Sequence, residues 1–179
     1  MFNTLKQDST KSEIFSQIEF QLKEFHLEII ALDQNRPWGG FFVIEPNQIE
    51  SFTSIFFEKE ILDLSGSSSF SPKILLVAPF QKLSWQYHYR RYELWNLIAG
   101  NASYCRSYTD EENEPINMIQ GEVIKLAQRE RHRLIGLDNW GIIAEIWVHI
   151  DPKKPSDEED IVRLKDEYSR KSPEKKLIS

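Results

Sequence analysis

The chain has 179 residues, of which 40% are hydrophobic and 28% charged, and it carries a formal net charge of −6. That length predicts one domain with room for a sizeable core, and the negative balance argues against nonspecific nucleic-acid binding while leaving room for a local basic pocket. No apolar run is long enough to span a bilayer, the N-terminus lacks a signal-peptide core, and the one cysteine, Cys105, has no internal disulfide partner, so a cytoplasmic protein is expected. Cys105 itself reads as a small buried hydrophobe. Aromatic residues reach 12%, including five Trp and eleven Phe, and favour a β-rich core.

Residues 1–11 are polar and read as frayed. From Ser12, a plausible N-cap, Ile14, Ile18, Leu22 and Phe25 recur at helical spacing and predict a helix. Residues 26–32 turn β-like, 33–37 form a turn, and 40–44 read as a strand. Pro46-Asn47 opens a second helix with Ile49, Phe52, Phe56 and Phe57 on its apolar face. Residues 66–72, rich in Gly and Ser, read as a loop. Short strands are then predicted over 73–79, 84–89, 94–99, 102–108, 122–127, 132–136 and 142–150, a pattern that suggests an antiparallel sandwich or barrel. Asp157-Glu-Glu-Asp160 suits the cap of a final helix with Ile161, Leu164 and Tyr168 on one face. The lysine-rich tail, 171–179, reads as disordered. The expected organisation is an extension with a leading strand over 1–35, then a barrel domain over 36–170 with a helical insertion near 46–72.

The stretch from Gln86 to Gly100 is the most informative. Gln86 and His88 stand at i and i+2, so a strand places both on one face. A short turn would return Glu93 towards them on the next strand. A second segment, Gly121 to His132, offers His132 as a fourth group. Amide oxygen, carboxylate and imidazole donors suit a divalent first-row metal. His26 and His149 lack matching partners and read as structural.

The spacing Q-x-H-x4-E-x6-G followed by G-x10-H resembles the two motifs of the cupin superfamily. Gln86 in place of a first histidine resembles phosphomannose isomerases, whose metal is held by Gln, His, Glu and His. Arg36-Pro-Trp-Gly39, Leu83-Ser-Trp-Gln-Tyr-His88 with Arg91 and Trp95, and the run from Glu159 to Arg170 are similar to the type II mannose-6-phosphate isomerase family. The resemblance covers roughly residues 36–45 and 73–170. It implies a mainly β fold, a single cupin (double-stranded β-helix, jelly-roll) barrel with N-terminal and C-terminal helices. It also implies one divalent metal ion on Gln86, His88, Glu93 and His132, with zinc expected first and Mn, Fe, Co or Ni compatible.

The implied activity is aldose–ketose isomerisation of a sugar phosphate, mannose 6-phosphate to fructose 6-phosphate through an enediol. Glu145 is a candidate base, since strand alternation can aim it inward; packing or a salt bridge would use it equally well. Arg133 follows the second-motif histidine, as an arginine does in the family, and is a candidate to hold phosphate or enediolate. Arg90 and Arg91 are further candidates for substrate. Arg36 and Trp38 suit one end of the site, or a folding role. The family's usual histidines are replaced by Arg90 and Leu94, and its Pro-Ala-Gly turn by Ala127-Gln-Arg129. These departures and the 46–72 insertion leave the sugar open, with a heptose phosphate as the alternative. A non-catalytic sugar-binding cupin and a metal-dependent oxygenase are the other readings. A homodimer is expected by analogy alone.

Overall fold

The structure, a computed structural model, describes residues 9–57 and 69–170. The predicted disordered tail lies outside the described residues, as do most of the frayed N-terminus and residues 66–68 of the predicted loop.

Helix α1 spans Lys11–Glu24 and buries Ile14, Phe15, Ile18 and Leu22. Its N-cap is Thr10 rather than Ser12. The Thr10 hydroxyl accepts from the Glu13 backbone N–H while the Glu13 carboxylate accepts from Thr10 N at 2.8 Å, a capping box that two-sided pairing favours over a lone Ser. Strands β1 (Ile29–Asp33) and β2 (Gly39–Ile44) follow, then a 3-10 turn at Pro46–Gln48 and α2 (Ile49–Phe56). The second helix forms as its apolar spacing predicts, burying Phe52 and Phe56.

The remaining strands are β3 (Ser69–Val77), β4 (Trp85–His88), β5 (Arg91–Ser107), β6 (Ile116–Asn117), β7 (Val123–Leu126), β8 (Arg131–His149) and β9 (Ile161–Lys165). All pairings are antiparallel, in the order β1-β2-β3-β8-β4-β9, with β5 pairing β6, β7 and β8. The pairs of short strands expected at 94–99 with 102–108, and at 132–136 with 142–150, are single long strands. Each bends instead of breaking. The β5–β8 register shifts between Leu97 and Ala99 and again between Gly100 and Ala102, and such irregularities increase twist and curl a sheet.

The curled sheet is buried on both faces, so its central strands alternate between two apolar layers. Ile74, Leu76, Leu94, Ile142, Ala144 and Ile146 pack under α1 and α2. Leu75, Val77, Trp95, Leu97, Leu134 and Ile143 fill the concave interior. Gly39 closes the Arg36-Pro-Trp-Gly39 turn with φ +141°, and a Cβ there would overlap the Leu76 carbonyl oxygen. Glycine is required for β2 to lie this close to β3.

The expected C-terminal helix is not formed. Asp157 caps only a 3-10 turn, Glu158–Asp160, and Ile161–Lys165 is strand β9, paired with β4. Asp160 is buried and accepts from the backbone N–H groups of Tyr89 and Arg90 at 3.2 and 2.9 Å. These tertiary bonds use the acid that a helix N-terminus would have used. Among the described residues no helix is long and apolar enough to cross a membrane.

Candidate functional site

Strand β8 organises the site, because it is shared by three partners. Its first part pairs with β4, placing Gln86 opposite His132. Its second part lies between β3 and β5, placing Glu145 opposite Lys73 on one side and Trp95 on the other. Residues directly opposite in antiparallel strands share a face. The curl of β5 and β8 then brings the two parts of the concave face together. Trp95 joins them: its Nε1–H donates to Glu145 Oε1 at 2.9 Å, and its ring meets the His132 ring edge-on at 5.4 Å.

His88, Glu93 and His132 converge with all three side chains buried. His88 Nε2 lies 3.2 Å from His132 Nε2 and 3.1 Å from Glu93 Oε1, and His132 Nε2 lies 3.3 Å from Glu93 Oε2. Donors bound to one ion at about 2.0–2.2 Å sit about 3 Å apart, so these separations fit a shared cation. The Nδ1 of His132 is 2.9 Å from the Glu130 carbonyl oxygen, to which it donates, leaving the Nε2 lone pair facing the cluster. His88 Nε2 accepts from Arg91 Nη2 at 3.0 Å, so it too presents a lone pair. Glu93 Oε2 is buried without a hydrogen-bond donor among the described residues. Two lone pairs and a carboxylate thus face one another, a donor set that suits a metal cation. Gln86, whose Oε1 accepts from Ser84 Oγ at 2.5 Å, adjoins His132 across the strand pair.

The charge states follow from the surroundings. Burial pushes the His88 pKa down to about 3, helped by Arg91, so its imidazole is neutral. Burial pushes the Glu93 carboxyl up, but the Arg91 guanidinium bonded to it outweighs burial and holds the pKa well below the usual range. Arg91 is fully buried, bonded to Glu93 Oε1 at 2.7 Å and Ser156 Oγ at 2.7 Å, with its guanidinium 3.4 Å above the Trp147 ring. It shares His88 Nε2 and so competes for that lone pair.

Beside this cluster lies a second charged pair. Glu145 is 4% exposed, and burial first, then the negative charge of Glu93, raises its pKa to about 7. Lys73 is 7% exposed, its Nζ 2.9 Å from the centroid of the Trp147 ring, and burial lowers its pKa to about 8 against the pull of Glu145. Lys73 was not among the residues expected from sequence. Its signal was a single cation opening the apolar run Lys73-Ile-Leu-Leu-Val77, in phase with the inward residues Leu75 and Val77.

Glu93 of the cluster, Arg91, Lys73 and Glu145 line one open cleft of about 500 Å³, mouth included. Gln86, Glu93, Arg91, Lys73, Glu145, Trp95 and Trp147 form its floor and walls, and Arg36, Trp38, Glu158, Arg163 and Arg170 also line it. The expected site residues Arg36, Trp38, Arg91 and Glu145 therefore meet in the cleft. Arg163 and Arg170 were expected to serve a structural helix and lie in the cleft instead.

Two candidates do not join them. Arg133 neighbours His132 in the strand and so faces the other way; it is buried and paired with Glu167 at 2.8 Å and Glu112 at 3.2 Å. Arg90 bonds the Pro155 carbonyl at 2.9 Å and Asp157 at 2.7 Å, outside the cleft, where it ties the 155–160 segment to the barrel. His149 is structural as expected, accepting at Nδ1 from Ser156 N at 2.9 Å and contacting Ser71 Oγ at 2.8 Å. Cys105 is buried, and burial pushes its thiol up to about 11, so it is not poised as a nucleophile.

Residues 59–166 match the family model described as Mannose-6-phosphate isomerase C-terminal. The fold is similar to vicilin from hazelnut, Corylus avellana, at 18% identity and a TM-score of 0.51, covering 72% of this chain and 34% of that one. Vicilin from tomato, Solanum lycopersicum, aligns at 18% identity and a TM-score of 0.50, covering 74% and 35%. The capsular polysaccharide assembling protein CapF from Staphylococcus aureus aligns at 16% identity and a TM-score of 0.46, covering 78% and 34%. The chain thus spans about a third of the length of these structures. The vicilin likeness shows a cupin fold. No curated protein is significantly similar in sequence.

Proposed function

Because the chain belongs to the mannose-6-phosphate isomerase C-terminal family of cupins, we propose that it is a metal-dependent sugar-phosphate isomerase, interconverting mannose 6-phosphate and fructose 6-phosphate. One observation carries the reading: the buried Glu145 and Lys73, directly opposite on β8 and β3, line the same cleft as Gln86 and Glu93, the latter a member of the His88–Glu93–His132 cluster. A binding protein needs no proton-transfer group near neutrality, whereas isomerisation does.

Glu145, in its carboxylate form, takes the C2 proton of the open-chain aldose. The C–H electron pair becomes the C1–C2 double bond, and negative charge develops on O1. The Lys73 ammonium donates its proton to O1 and recovers one from O2. Glu145 then returns its proton at C1, which gives the ketose. Trp95 Nε1–H holds the base in place, and Trp147 and Phe41 shield Lys73 from water. A divalent ion held by Gln86, His88, Glu93 and His132, with zinc first and Mn, Fe, Co or Ni compatible, would supply Lewis acidity towards sugar oxygens.

NMR of a sugar-phosphate panel in deuterated water, with added Zn(II) or Mn(II), tests this directly. Mannose 6-phosphate is compared with fructose, glucose and heptose phosphates. Aldose–ketose conversion with deuterium at C1 or C2 is expected for mannose 6-phosphate. Conversion of a heptose phosphate alone would change the substrate. No conversion of any sugar by metal-loaded protein would replace the isomerase with a sugar-binding cupin.

A further inference from the structure

The rim of the cleft carries its own anion. Arg36 and Arg163, on opposite ends of the fold's sheet order, both turn a guanidinium Nη2 towards one carboxylate oxygen, Glu158 Oε2, at 3.9 and 3.6 Å. Both separations exceed a hydrogen bond. Glu158 is 52% exposed, while the side chains of Arg36 and Arg163 are 25% and 10% exposed. A half-exposed carboxylate held at such distances adds little stability. The turn that carries it does not depend on it, since Asp160 anchors that turn through Ser156 and the backbone of Tyr89 and Arg90.

We infer that Arg36 and Arg163 form the subsite for the phosphoryl group of the substrate, and that Glu158 occupies this subsite as a displaceable internal competitor. This rests on reading the cleft as a sugar-phosphate site. The register supports the placement. Arg163 lies opposite Gln86, and Gln86 opposite His132, so all three share the concave face. Two strand spacings, about 10 Å, separate the Arg163 backbone from that of His132. A sugar can then lie with its reacting carbons at the floor and its phosphate at the rim. A phosphoryl group offers three strong acceptors to the two planar forks, where the carboxylate offers one oxygen at long range. Arg36 is braced through Nε on Asp33 Oδ2 at 2.7 Å, which leaves its Nη2 turned to the cleft. Arg170 also lines the cleft but commits both Nε and Nη2 to Asp166, at 3.0 and 2.5 Å, so it is left out of the subsite.

Titration calorimetry with inorganic phosphate, and with mannose 6-phosphate against unphosphorylated mannose, tests the subsite without requiring turnover. Glu158→Gln should bind inorganic phosphate and mannose 6-phosphate about threefold to tenfold more tightly, because the competing charge is gone. Arg163→Gln should bind both about tenfold more weakly and mannose unchanged. A gain of affinity cannot arise from misfolding, so the Glu158→Gln result stands even if Arg163→Gln fails to fold. Unchanged phosphate affinity in Glu158→Gln, or equal losses for mannose and its phosphate in Arg163→Gln, would overturn the inference. If the variants behave as expected while the wild type isomerises no sugar phosphate, the subsite is supported and the isomerase reading alone falls.

Discussion

Glu93 and Glu145 are both buried carboxylates on the concave face, yet their surroundings drive them apart. Arg91 keeps Glu93 ionised, whereas burial and the charge of Glu93 lift Glu145 to about 7. Such a split separates a permanent ligand from a proton carrier. The expected kcat/KM profile is a narrow bell. It rises as Glu145 loses its proton near pH 7 and falls as Lys73 loses its own near pH 8. Lys73→Met should push the rising limb to higher pH, because the ammonium lowers the Glu145 pKa. A flat profile from pH 6 to 9 would exclude this pair. Glu145→Gln should lower kcat by about 10²- to 10⁴-fold and leave metal content unchanged. His88→Ala and His132→Ala should instead lose bound metal, as read by elemental analysis; full occupancy in both would rule out the cluster.

At the scale of elements, the ligand spacing was legible because strands impose a fixed two-residue period. The same period explains the failure at Arg133: a neighbour in sequence is on the opposite face of the strand. Arg90 was misplaced because its environment is a loop more than sixty residues downstream. The last element was read as a helix from its acidic start and apolar spacing. It is a strand because β4 offers an open edge, and because the carboxylates of Asp157 and Asp160 are used by the turn and by Tyr89 and Arg90. The Arg36-Pro-Trp-Gly39 turn is required at its glycine. Gly39→Ala should cost roughly 2 kcal/mol or more in urea unfolding, from a strained φ and overlap with the Leu76 carbonyl. A change within experimental error would show that β2 and β3 can separate without penalty.

In the whole molecule, the candidate metal ligands come from three strands: β4, β5 and β8. A shared ion would therefore cross-link segments far apart in the chain, and its binding would favour the folded state. Metal at about a hundred times its Kd should stabilise the protein by about 2.7 kcal/mol. For a chain of this size that raises Tm by about 5–10 °C. Chelation should reverse the shift, and His132→Ala should remove it. An equal rise in His132→Ala would place the stabilising metal elsewhere.

The linear chain was sufficient for what repeats locally: a mainly β fold, two N-terminal helices, and a set of oxygen and imidazole donors at strand spacing. It also carried the family signatures at Arg36–Gly39 and around His88. Tertiary structure alone decided which charges meet. Lys73, Glu145 and Trp95 lie on three different strands and stand side by side only because β8 pairs with β3 on one edge and β5 on the other. Arg36, Glu158 and Arg163 likewise come together from the two ends of the chain. Local periodicity follows from backbone geometry one residue at a time, but the burial that moves a pKa, and the contact that joins distant charges, exist only once the sheet has closed on itself.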